Sequence, residues 1–190
     1  MKKKISIVYF TGAGHTEKLA EAVRDGAASH PDSEVNLVKL SGLDIKEGRW
    51  SNNDVLERLD ASDAIIFGTP TYMGSVSAQM KTLMDASSER YIAQKWKDKI
   101  GAAFSVSGGP SGDKFNTLMT LATFAMQHGM LWVGLGLTGV EQDGTNSLGF
   151  YFGAGAQALM ESPEEKPNAP DIQTGVKLGA RVADITSRFS

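Results

Sequence analysis

The chain has 190 residues, of which 41% are hydrophobic and 22% charged, with a formal net charge of −3 and no cysteine. That length and apolar content predict one domain, residues 1–190, with a full core. The mild acidity gives no electrostatic basis for binding nucleic acid or an anionic membrane, and the lack of cysteine excludes disulfides, thiol redox chemistry and cysteine-held iron–sulfur clusters.

The chain opens on Met1-Lys2-Lys3-Lys4 with no apolar stretch behind it of the kind a secretory leader needs, and no segment reaches the apolar length of a membrane span. A cytoplasmic location is the expectation. Residues 4–10 predict a buried strand, and residues 11–16 a tight loop. The next helix places Leu19, Ala20, Val23 and Ala27 on one face. A second strand is expected over residues 34–40, a short polar helix over 53–59 and a third strand over 64–68. A helix then shows Val76, Met80, Leu83 and Met84 at helical spacing, followed by a fourth strand over 100–106. The next helix displays Phe115, Leu118, Met119, Ala122 and Met126, and a fifth strand is expected over 130–133. The last helix, over 171–188, carries Leu178, Val182, Ile185 and Phe189 on one side. The methionines of these stripes read as core filler. Residues 134–155 show neither period and read as part of an active-site roof or a subunit contact. The stretch with Glu161, Pro163, Glu164, Glu165, Pro167 and Pro170 reads as a solvated connector.

Apolar strands alternating with amphipathic helices predict an α/β fold, a parallel sheet covered on both faces. Five strands fit a doubly wound, flavodoxin-like sheet in the order 2-1-3-4-5, whose ligands lie beyond the carboxyl ends of strands 1, 3 and 4. Three specialised loops fall there. The first is Thr11-Gly12-Ala13-Gly14-His15-Thr16. It has no lysine after Gly14, so it is no P-loop; Glu17 replaces a third glycine and no acid ends the second strand, so it is no dinucleotide fingerprint. What remains suits a terminal monophosphate, such as that of FMN, held by neutral donors and a helix start. The second loop, Gly68-Thr69-Pro70-Thr71-Tyr72-Met73-Gly74-Ser75, is a rigid turn with apolar contact for a flat ring and Ser75 or Ser77 as helix cap. The third is Ser107-Gly108-Gly109-Pro110-Ser111-Gly112. Each alone also reads as an ordinary strand-to-helix turn, but three at one sheet edge favour a ligand. His15, His30 and His128 have no metal-ligand spacing, so no metal is expected.

The run from Gly68 to Gly74, continuing through Gln79-Met80-Lys81 to Asp85, together with His128-Gly129-Met130 and Gly14-His15, resembles the WrbA-type NAD(P)H:quinone oxidoreductases among the flavodoxin-like FMN proteins, over nearly the whole chain. The resemblance implies non-covalent FMN, with its phosphate on Thr11, Gly12, Ala13, Gly14, His15 and Thr16. It implies that Pro70, Thr71, Tyr72, Met73 and Gly74, with Ser107, Gly108, Gly109, Pro110, Ser111 and Gly112, line the flavin ring. It places His128 beside the flavin as a catalytic residue, where the bare sequence also allows a helix C-terminal cap. It further implies hydride transfer from NAD(P)H through FMN to a quinone or similar small acceptor, in a homodimer or homotetramer whose neighbours complete each site. Two departures stand out. The third loop lacks the family's Thr-Gly-Thr-Gly-Gly-like run, and Pro110 removes a backbone donor. Tyr91 stands where the family places a tryptophan from a neighbouring subunit, with Trp96 nearby. The alternative is a flavodoxin-type one-electron carrier using the same loops. A charge of only −3 and a single ring-loop aromatic, Tyr72, weigh against it.

Overall fold

Alternating apolar runs fold into β1 (Lys3–Tyr9), α1 (His15–Ala28), β2 (Ser33–Lys39), β3 (Ile45–Lys46), β4 (Arg49–Trp50), α2 (Asn53–Asp60), β5 (Ala64–Tyr72) and β6 (Ser75–Val76). There follow α3 (Ala78–Ala86), α4 (Ser88–Ile92), β7 (Ile100–Ser107), α5 (Lys114–Gln127), β8 (Leu131–Trp132), β9 (Ala154–Gln157) and α6 (Ala169–Arg188). The computed structural model describes residues 2–189. The main sheet runs β2-β1-β5-β7-β8 with every neighbouring pair parallel. This is the expected 2-1-3-4-5 order.

Side chains alternate across each strand, so successive residues feed opposite cores. Ile5 and Ile7 pack with Leu19, Val23, Leu178 and Val182 beneath α1 and α6. Val8, Ile65 and Phe67 pack with Leu56, Met80 and Leu121 of α2, α3 and α5 on the other face. α1 and α6 approach so closely that a Cβ at Gly26 or Gly179 would sit 1.9 Å from a backbone carbonyl of the opposite helix.

Four expectations are corrected. First, β5 continues to Tyr72 instead of ending at Gly68, because Thr71 and Tyr72 pair back onto Val76 and Ser75. The turn is Met73-Gly74, with φ of 47° and 79°, the left-handed pair that a two-residue hairpin needs. Val76 therefore lies in a strand, and α3 starts after Ser77, whose Oγ accepts the Met80 N–H.

Second, the core face of α5 is Leu118, Leu121, Ala122 and Ala125, while Phe115 and Met126 are half exposed. Apolar spacing alone did not show which of two adjacent stripes meets the sheet. Of the methionines on the predicted stripes, only Met80 is core; Met84 and Met119 line a surface groove.

Third, the fifth strand is in two pieces. β8 pairs with Ile100 and Gly101, β9 pairs with Phe104 to Ser107, and the glycine-rich stretch is spliced between them. That stretch packs on the sheet edge and α6, through buried Leu135 and Phe150 and an Asn146 N–H donated to Thr174 Oγ1.

Fourth, the proline-rich connector keeps its glutamates exposed but also touches the first loop, as the site below shows.

Candidate functional site

A groove of about 220 Å³ opens beyond the carboxyl ends of β1, β5 and β7. Thr11, Gly12, Ala13, His15 and Thr16 line it from the first loop, Pro70, Thr71 and Tyr72 from the second, and Ser107 and Gly108 from the third. Val106, Ala158 and Leu159 complete it. None of these lining residues is an acid, a lysine or an arginine.

The first loop is shaped by Thr11, whose Oγ1 accepts the Gly14 N–H at 2.9 Å. Gly14 then takes a left-handed conformation, φ 96°, as the N-cap of α1, and no side chain caps that helix start. By contrast Asn52, Ser77 and Asn168 cap α2, α3 and α6 with their side chains. The α1 start thus keeps backbone donors and the positive dipole end free for an anion. Glu17 is turned aside. Its carboxylate accepts from Lys39 Nζ (2.9 Å) and the Tyr9 hydroxyl (2.9 Å), and Lys39 holds it below the usual carboxylate range. Burial and the Glu17 charge push the Tyr9 phenol well up. His15 Nε2 donates to the Glu161 carbonyl at 2.7 Å, and Pro163 packs where a Gly14 Cβ would reach. The connector thus touches the first loop through the Glu161 carbonyl and Pro163, while Glu161, Ser162, Glu164 and Glu165 stay exposed.

The second loop is held from behind by hydroxyls. Thr71 Oγ1 donates to Thr117 Oγ1 (2.8 Å) and meets Ser105 Oγ (2.9 Å). Tyr72 leans across the groove mouth, its hydroxyl 2.2 Å from where a Gly12 Cβ would stand, so a side chain at Gly12 would push the ring outward. Tyr72 is 49% exposed and free to swing outward. The cavity as it stands lies below the roughly 300 Å³ at which pockets for drug-sized ligands begin, and that swing would enlarge it. Met73 and Gly74 lie at the hairpin tip outside the groove, with Met73 fully exposed.

The third loop contributes only Ser107 and Gly108; Gly109, Pro110 and Ser111 are exposed and turn away, with Gly112 beside them. Sequence reasoning missed the residue beneath it, Lys114, which is fully buried, with Nζ donating to Ser107 Oγ (2.7 Å) and to the Gly109 carbonyl (2.8 Å). It also missed Ala158 and Leu159, carried in by β9. The signals were a lysine opening an apolar helical stripe and an Ala-Gly-Ala run after a long loop.

His128 lies elsewhere. It caps the far end of α5, about 20 Å along the helix from Lys114, and lines a separate groove of about 480 Å³ with Met84, Asp85, Ser87, Tyr91 and Met119. It stacks on Trp96 with ring centroids 4.4 Å apart. Ser87 gives its one proton to the Met84 carbonyl, so His128 Nε2 donates to Ser87 Oγ (2.9 Å) and Nδ1 is left buried without a partner. Burial lowers its pKa to about 4. Asn116, which lines the same groove, donates to the Gly74 carbonyl and so joins this groove to the tip of the second loop.

A doubly wound parallel sheet with an uncharged, backbone-lined groove at its switch point defines a flavin-mononucleotide fold of the flavodoxin type. Residues 7–144 match the family model described as NADPH-dependent FMN reductase, and the chain belongs to that family. Among curated proteins it is 36% identical to "Flavodoxin FldP" of Pseudomonas aeruginosa (strain UCBPP-PA14), over 96% of each chain. It is 29% identical to an "NAD(P)H dehydrogenase (quinone)" of Syntrophus aciditrophicus (strain SB), over 98% of each. Among solved structures it superposes on a flavodoxin, WrbA-like protein from Agrobacterium tumefaciens with a TM-score of 0.79 at 37% identity, covering all of both chains. The resemblance read from the sequence is borne out, and the chain is an FMN-dependent oxidoreductase with reduced nicotinamide as co-substrate.

Proposed function

We propose that the protein is an NAD(P)H:quinone oxidoreductase, and that the groove at the carboxyl ends of β1, β5 and β7 is its FMN site. The observation that carries this reading is the convergence of three loops on one groove that has no charged lining residue and an uncapped helix start. FMN, when bound, supplies the chemistry: it accepts a hydride from the nicotinamide and passes two electrons to the acceptor. The chain supplies binding and orientation. The backbone donors of the first loop, apart from the Gly14 N–H that Thr11 engages, would hold the phosphate at the dipole end of α1. Tyr72, by swinging out, would pack on the ring, and Ser107 and Gly108 would meet the ring edge. With Gly109, Pro110 and Ser111 turned outward, the missing donor at Pro110 costs the ring nothing.

His128 lines a groove separate from this one, so a catalytic role for it would be met by a flavin held in a second copy. A homodimer or homotetramer is proposed on that ground, with Tyr91 at the same groove. The test mixes FMN-loaded protein with NADH or NADPH and benzoquinone and follows loss of reduced nicotinamide. Many turnovers per flavin are expected; none would overturn the reading.

A second reading, a one-electron carrier for protein partners, is favoured by the relative named flavodoxin. It predicts reversible one-electron transfer to a partner protein with no nicotinamide oxidation in the same assay.

A further inference from the structure

The first three carbonyls of the third loop all accept hydrogen bonds from the protein, and that of Gly109 also accepts from Ser107 Oγ (3.2 Å). The Ala158 N–H donates to the Ser107 carbonyl (3.1 Å), Gln157 Nε2 to the Gly108 carbonyl (3.0 Å), and Lys114 Nζ to the Gly109 carbonyl (2.8 Å). The loop's acceptors are thereby consumed from behind. Of the loop's residues, Ser107 and Gly108 line the groove.

Lys114 differs from the other donors because it carries a charge. Its side chain is fully buried, and Nζ stands 2.7 Å from Ser107 Oγ, a groove-lining residue. The charged group opposite is Asp171, itself 3% exposed, whose Oδ2 accepts the Gln157 N–H at 2.9 Å. Lys114 and Asp171 form no direct ion pair, and the Phe150 ring lies 5.4 Å from Nζ. Burying the Lys114 charge without a contacting carboxylate carries a desolvation cost. Burial lowers its pKa to about 8, against the pull of Asp171, so it is still mainly cationic at neutral pH.

We propose that Lys114 is a positioning residue that fixes the third loop and sets a buried positive charge behind the flavin site, so that reduced FMN is held more tightly than it would be by a neutral residue. The electron count gives the direction. A hydride brings two electrons and one proton, so the bound flavin gains one negative charge while the nicotinamide becomes NAD(P)⁺. A fixed cation one residue behind the wall stabilises that added charge. Tighter binding of the reduced form raises the two-electron potential of the bound flavin.

This rests on the groove being the FMN site, and the test separates the two claims. FMN is titrated onto apoprotein in oxidised and in reduced form, for the wild type, Lys114→Met and Lys114→Gln. Lys114→Met is expected to weaken reduced FMN at least tenfold more than oxidised FMN. That ratio lowers the two-electron potential by about 30 mV. Lys114→Gln keeps donors for Ser107 and Gly109, so it should recover much of the oxidised-form affinity but not the potential. If Lys114→Met fails to fold, the Lys114→Gln potential decides alone. An unchanged ratio of the two affinities in a folded variant overturns the role of Lys114 and leaves the groove intact. Normal FMN affinity in Thr11→Asp, whose carboxylate would repel the phosphate, overturns the site itself.

Discussion

Two grooves of this molecule are built on opposite principles. The one beyond β1, β5 and β7 is made of backbone, hydroxyls and small residues, with its charges turned away or placed one layer behind. The one beside α5 is made of side chains, with Lys81, Asp85, Tyr91 and His128 facing it. The first is formed by the topology itself, because strand ends and an uncapped helix start converge wherever a doubly wound sheet changes direction. The second depends on which side chains α3, α4 and α5 carry. A groove of backbone donors suits a cofactor with a fixed phosphate, and a groove of side chains suits a site that varies with its substrate or partner.

Thr11→Asp is the harshest test of the first groove. The substitution keeps an acceptor for the Gly14 N–H but adds a negative charge beside the phosphate position. At about 4 Å and moderate screening this repulsion is about 4 kcal/mol, close to a thousandfold loss of FMN affinity by titration. Normal affinity would remove the phosphate from this loop.

The second groove is tested by pH. His128 is depressed in the fold from 6.5 to about 4 by burial. Between these values the unfolded chain takes up a proton that the folded chain does not, so stability falls as pH drops through that window and this contribution is level below it. The loss from this group is at most about 3 kcal/mol. Denaturant melts at pH 7 and pH 4 should therefore show a smaller drop in His128→Gln than in the wild type. Equal drops would mean that His128 is solvated or already charged. In the turnover assay the same variant should lower kcat/KM for benzoquinone by roughly tenfold or more while FMN affinity holds. If both parameters hold, the second groove has no part in the reaction.

The smallest effect is expected at Tyr72, which closes the first groove. Tyr72→Ala removes the ring from the mouth and its packing on bound flavin, so FMN should associate faster but bind about 1 kcal/mol more weakly. A slower association would show that Tyr72 guides entry instead of covering it.

The strands and the first loop were legible in the sequence because they rest on local signals, and the strand order followed from matching the strand–helix alternation to a doubly wound sheet. Apolar runs such as Ile5 to Val8 and Ala64 to Phe67 are strands in any context, and Thr11 to Thr16 carries its own turn chemistry. Long-range pairing was not legible. Nothing local says that Tyr72 pairs back onto Ser75, that residues 154–157 complete the strand begun at 131–132, or that α5 turns Leu121 inward and Phe115 outward. The same limit hid Lys114, whose charge reads as a solvated helix start until the third loop folds over it, and it displaced His128, which sequence proximity to a glycine could not locate. The sequence by itself determined which segments become strands, helices and turns, since those choices are made within a few residues. Only the tertiary structure decided which of them meet, because register, burial and the distance along a helix are set by partners far away in the chain.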